Sequence, residues 1–229
     1  NNDVLAMWGL YGTVYTAIGV AHAMQGPRRK WRPRIVLLAV ALGFTAAAHL
    51  LAAIIGLVAA FVLMLYLAER RRGYVTQILL ISLMGGMAIL FAFFAFRPTA
   101  FAYVFTGGAA RFWFSLNGLR TFFESYAHAP VAIALVVAMI LYLGVRRCRY
   151  FGNTAPFLLV LAMFPLMTTQ VASSPWLWSL PFLFTFLGGV FADAIETRYA
   201  RMFLILMGCI LATQAAVSIS LLPVAASAR

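Results

Sequence analysis

Three arginines are the side chains most suited to chemistry here. Arg97, Arg111 and Arg120 lie in one aromatic stretch, Arg97 to Ala129, with Thr106-Gly107-Gly108 just ahead of Arg111. Glycine-rich backbone opening a helix can cradle a phosphate, and guanidinium groups supply forked donors to its oxygens. The competing reading is an interfacial helix whose arginines reach toward lipid headgroups. Asp3 stands just before an apolar run. It suits a helix N-cap, where a carboxylate accepts from orphan amides and meets the positive helix end, or an acidic site residue at a membrane surface.

The other titratable groups carry less. His22 and His49 sit in apolar runs beside small residues, as a tetrapyrrole ligand would, and ionisable residues within a membrane are functional flags. The topology below puts them near opposite faces, so they cannot share one haem; a ring bonded at a helix end or turn is the plainer reading. Asp193 and Glu196 are three residues apart and share a helix face, with Arg198 and Arg201 adjacent to neutralise them. Cys148 and Cys209 form no CxxC pair and no Cys/His cluster with metal spacing. No P-loop, HExxH or GxSxG is present. No cofactor and no metal site is assigned.

The elements that must position these residues are set by composition. The 229 residues are 65% hydrophobic and 10% charged, against about 25% charged in a soluble domain. Val4–Met24, Ile35–Ala68, Tyr74–Phe96 and Tyr199–Leu222 hold almost no charge. Roughly 20 such residues cross a bilayer. The runs are apolar on every face, which excludes the alternation of a membrane barrel and leaves helices. The net charge of +12 resides in short clusters between runs. Lipid headgroups and the positive-inside rule account for it, and no nucleic-acid recognition motif accompanies it. Membrane lipids are the expected partners, with other membrane subunits in addition, and nucleic acid is not.

Ile35–Ala68 is 34 residues long. As one helix it would measure about 51 Å, well beyond a hydrocarbon core of about 30 Å. A single crossing would also put the basic clusters at its two ends on opposite faces. Two short spans, Ile35–Ala48 and Leu51–Ala68, with a turn near His49, remove both conflicts. Further spans are expected at Pro130–Gly144, Thr154–Ala172 and Pro175–Ala192. The sum is an all-α bundle of about eight transmembrane helices, residues 1–229 forming one transmembrane domain. With the basic clusters on the cytoplasmic side, both termini lie outside. That arrangement suggests the C-terminal portion of a longer chain in a bacterial inner membrane.

Asn2-Asp3 leading into a span, the hairpin Gly43-Phe44-Thr45-Ala46-Ala47-Ala48-His49-Leu50 and the arginine- and aromatic-rich outer segment together resemble the middle and C-terminal part of the GT-C glycosyltransferases. These are membrane enzymes that use polyprenyl-phosphate sugars. The block from Ser174-Pro175-Trp176-Leu177-Trp178 through Phe191-Ala192-Asp193 to Glu196-Thr197-Arg198 has the same general look. The resemblance is one of pattern over most of the chain. It implies sugar transfer from a polyprenyl-phosphate carrier at the outer face, a carboxylate activating the acceptor and arginine steadying the leaving phosphate. Asp3, which matches the second acidic residue that the family carries before a later span, is the catalytic candidate, and Arg97, Arg111 and Arg120 are the phosphate-binding candidates. The acidic pair of the family's first outer loop has no counterpart here. The alternative is a non-catalytic subunit of a larger membrane complex, pigment-bearing or respiratory.

Overall fold

The computed structural model describes residues 2–106, 129–163 and 175–227. Among these residues there are nine α-helices and no strand. They are α1 (Asn2–Met24), α2 (Trp31–Ala48), α3 (Leu50–Leu67), α4 (Val75–Phe93), α5 (Pro98–Thr106), α6 (Ala129–Gly144), α7 (Phe151–Met163), α8 (Pro175–Ile195) and α9 (Ala200–Ser227). Six helical stretches are long and apolar enough to cross a membrane: those of α1 to α4, α8 and α9. Helices α6 and α7 are apolar but shorter. This is a polytopic helical membrane protein, as composition requires. The chain divides into two compact units: residues 1–112 with 170–181, and residues 113–169 with 182–229.

In the first unit, α2 and α3 are the two halves of the long apolar run. Each has 18 residues, about 27 Å of helix, close to the thickness of a hydrocarbon core. The break falls on His49, whose backbone is extended at φ −162 and ψ 115. Its backbone groups are still satisfied. The amide donates to the Thr45 carbonyl at 2.8 Å, and the carbonyl accepts from the Ala53 amide at 3.2 Å. The far ends of the hairpin meet through polar contacts. Arg71 donates to the Gly26 carbonyl at 2.8 Å, Gln25 to the Leu67 carbonyl at 3.4 Å, and Arg28 to the Tyr74 hydroxyl at 2.9 Å. The basic clusters at 28–34 and 70–72 therefore share one end of the unit. His49 lies at the other.

Small residues bring these helices together. A Cβ on Gly9 would lie 2.6 Å from Thr45 Oγ1, and one on Gly43 would lie 2.7 Å from the Gly86 carbonyl oxygen. Gly85 and Gly86 thus serve close packing of α4 on Ala39 and Gly43 of α2. In lipid, where apolar surface gains little from leaving the solvent, such close approach is what holds helices together. The Thr13 and Thr45 hydroxyls meet at 3.2 Å across the α1–α2 contact, and each donates back to its own helix, to the Gly9 and Ala41 carbonyls. Neither polar group is left bare in an apolar setting.

In the second unit, a stacked aromatic set joins α6, α7 and the later part of α8. Phe157 and Phe186 stack at 4.9 Å between ring centroids, and Tyr142 meets Phe186 at 5.7 Å. The Tyr142 hydroxyl also pairs with Thr154 at 2.8 Å.

Candidate functional site

Asp3, His49 and Trp178 all belong to the first unit and converge at the end opposite the basic clusters. Each owes its place to a local feature. Asp3 is in the first turn of α1, where a carboxylate suits the positive helix end, and is half-buried. His49 occupies the α2–α3 turn, flanked by Thr45-Ala46-Ala47-Ala48, whose small side chains leave room for an imidazole. Trp178 comes from the first turn and a half of α8 and is 1% exposed.

The His49 and Trp178 rings meet edge-on, with centroids 4.7 Å apart and planes at 64°. Two of their nitrogens, His49 Nδ1 and Trp178 Nε1, are buried and have no hydrogen-bond partner among the described residues. Burial pushes the imidazole below the usual histidine range, and the nearby Asp3 carboxylate partly opposes that shift. A neutral imidazole is the result. Its Nδ1 can accept or donate according to tautomer, whereas an indole N–H only donates. A hydroxyl suits both nitrogens: its oxygen can accept from Trp178, and its proton can go to an imidazole nitrogen.

Of the phosphate-binding candidates, Arg97 follows α4 at this same end and is exposed. Ala95 and Phe96 before it have φ of 52 and 57, a left-handed pair that turns the chain sharply. The Arg97 carbonyl accepts from the Phe101 amide at 3.0 Å and so opens α5. Phe91, Phe101 and Phe105 form an edge-on ladder alongside, at 5.3 and 5.4 Å. Arg111, Arg120 and Gly107-Gly108 lie outside the described residues. His22 is in the last turn of α1 and exposed. It is about 28 Å of helix from Asp3, so the two histidines do sit toward opposite ends. Among the described residues no three His, Cys, Asp or Glu side chains could hold a metal ion.

A second polar cluster lies in the second unit. Asn153, buried on α7, donates through Nδ2 to the Asp193 carboxylate at 2.7 Å and to the Cys148 carbonyl at 3.1 Å. A Cβ on Gly189 would collide with Asn153 Oδ1, so a larger residue there requires the bonded amide to move. Cys148 is buried, its thiol 3.7 Å from the Val190 carbonyl. Burial raises the thiol above the usual cysteine range, and Asp193 adds to the effect. Arg147 pairs with Glu196, and Arg198 stacks over Tyr199. Glu196 and Asp193 are thus held by residues from the preceding helix pair, not by the adjacent Arg198 and Arg201. The cluster fastens α7 to α8 and leaves no reactive thiol.

Sequence reasoning missed Trp178 and Asn153. Neither carries a short-range signal, because their partners are 129 and 40 positions away. Comparison with known proteins returns no matching family model, no matching curated protein and no matching solved structure.

Proposed function

We propose that this chain is the membrane-embedded portion of a GT-C-like glycosyltransferase, moving a sugar from a polyprenyl-phosphate carrier to a hydroxyl acceptor at the end where Asp3, His49 and Trp178 meet. The supporting observation is the buried His49–Trp178 ring pair, with two unpartnered nitrogens and the Asp3 carboxylate near it, at the break between two membrane helices. In this reading Asp3 takes the acceptor hydroxyl proton as the oxygen attacks the anomeric carbon. His49 and Trp178 orient that hydroxyl. The bond from the sugar to the phosphate oxygen breaks, and Arg97, with Arg111 and Arg120, steadies the departing phosphate. The positive-inside rule turns the basic end to the cytoplasm, which gives an outward-facing site, outward termini and a bacterial inner-membrane location.

The test is binding of a polyprenyl phosphate to the purified chain, with the uncharged polyprenyl alcohol as control. Wild type should prefer the phosphate by about tenfold or more, the effect of a charge-assisted bond, and Arg97→Gln should lose much of that preference. Equal binding of phosphate and alcohol, or variants of all three arginines that match wild type, would remove the proposal and favour a non-catalytic subunit.

A further inference from the structure

At the basic end of the first unit, the turn between α1 and α2 and the turn between α3 and α4 fold against each other. With the first turn of α2 they carry eight basic side chains and one carboxylate, Glu69. Two of the arginines are built into the turns. Arg28 lies over the Tyr74 ring at 5.2 Å while bonded to its hydroxyl, and Arg71 lies over the Trp31 ring at 5.2 Å while bonded to Gly26. Trp31 is buried and its indole donates to the Gly26 carbonyl at 3.3 Å, and its ring meets Tyr74 at 5.9 Å. This aromatic pair fixes the spacing of the two turns. Arg29, Lys30, Arg32, Arg70 and Arg72 are left exposed around it.

Exposed like charges on adjoining turns favour binding of an anion. We infer that the two turns form one binding site for the phosphodiester headgroup of an anionic phospholipid. Two features favour a lipid over a soluble phosphate. Trp31 and Tyr74 are the amphipathic rings found at headgroup depth. Directly beyond the basic residues, α2 presents Val36, Leu37 and Val40, each 45–60% exposed. That apolar stripe starts where the headgroup site ends, so acyl chains can lie along it while the phosphate sits among the guanidinium groups. Arg supplies forked donors matched to phosphate oxygens. Basic pockets between membrane helices on the cytoplasmic side recognise anionic headgroups by this chemistry.

The test uses the full chain in neutral detergent, titrated with phosphatidylglycerol and with phosphatidylcholine of the same acyl chains. Binding is read by thermal shift. Glycerol phosphate and diacylglycerol are parallel probes for the headgroup and the tails alone. Phosphatidylglycerol should bind preferentially, the preference should shrink as salt rises, and neither half-molecule should match it. A charge near the surface contributes roughly fivefold in affinity. The variant Arg29→Gln/Arg32→Gln/Arg70→Gln/Arg72→Gln should therefore lose the preference by roughly several hundredfold. These side chains are exposed, so the fold should hold, and Arg201→Gln is the control for loss of charge elsewhere. Equal binding of the two lipids, a quadruple variant that behaves like Arg201→Gln, or glycerol phosphate binding as tightly as the lipid would each overturn the inference.

Discussion

His49 is neutral because the fold buries it, and that has a consequence for stability. Its folded-state proton affinity is lowered, so the unfolded chain binds a proton that the folded chain declines. Stability is then full above about pH 6.5 and falls as pH drops below that value. A thermal-unfolding series in detergent should show this decline, and His49→Gln should flatten it. Asp3 opposes the shift, so Asp3→Asn should steepen the decline. In the proposed reaction Asp3→Asn should also slow sugar transfer by about 10²–10⁴-fold, the usual contribution of a general base, while leaving carrier binding intact. The two side chains differ in how well sequence revealed them. His49 stood out as the one strongly polar residue in 34 apolar ones, and Asp3 as the acid at the mouth of a span. Trp178 is one of five tryptophans and acquires its meaning only by packing on His49.

The helices are held by close contacts at small residues, and these can be tested one at a time. Gly189→Ala would drive a methyl into Asn153, an overpacking that costs about 1–3 kcal/mol. In an Asn153→Ala background the same substitution should cost much less, because the obstructing amide is gone. A matching penalty in both backgrounds would show that α7 and α8 do not meet there. Gly43→Ala should likewise destabilise the α2–α4 contact, since the opposing group is the Gly86 carbonyl, which cannot rotate away as a side chain can. The α2–α3 hairpin was legible from arithmetic alone: a helix of about 51 Å does not fit a core of about 30 Å. The partners of Asp193 and Glu196 were not. Neighbouring arginines looked sufficient, whereas the turn after α6 delivers Arg147 to Glu196 and α7 delivers Asn153 to Asp193. Local charge patterning cannot see contacts that depend on how helices pair.

At the scale of the molecule, the governing fact is that lipid is the solvent. Residues such as Met84, Ile205 and Ile219 are 66–73% exposed, which water would penalise and acyl chains do not. The two cysteines report on this directly. Cys209 is exposed on an apolar helix and Cys148 is buried with a raised thiol pKa. A charged maleimide should label neither cysteine in intact membranes, and both should react once the chain is unfolded. Charge completes the picture, with the basic turns gathered at one end of the first unit and Asp3, His49 and Arg97 at the other. The measurement that tests this most directly is sidedness in sealed membranes. Cysteines introduced as Lys30→Cys, Arg72→Cys or Arg97→Cys in a Cys209→Ala background would be labelled with an impermeant reagent from either side. Positions 30 and 72 should react from one side and position 97 from the other. Labelling of 30 and 72 from opposite sides would mean that Ile35–Ala68 crosses once, and the hairpin that creates the His49 site would not exist.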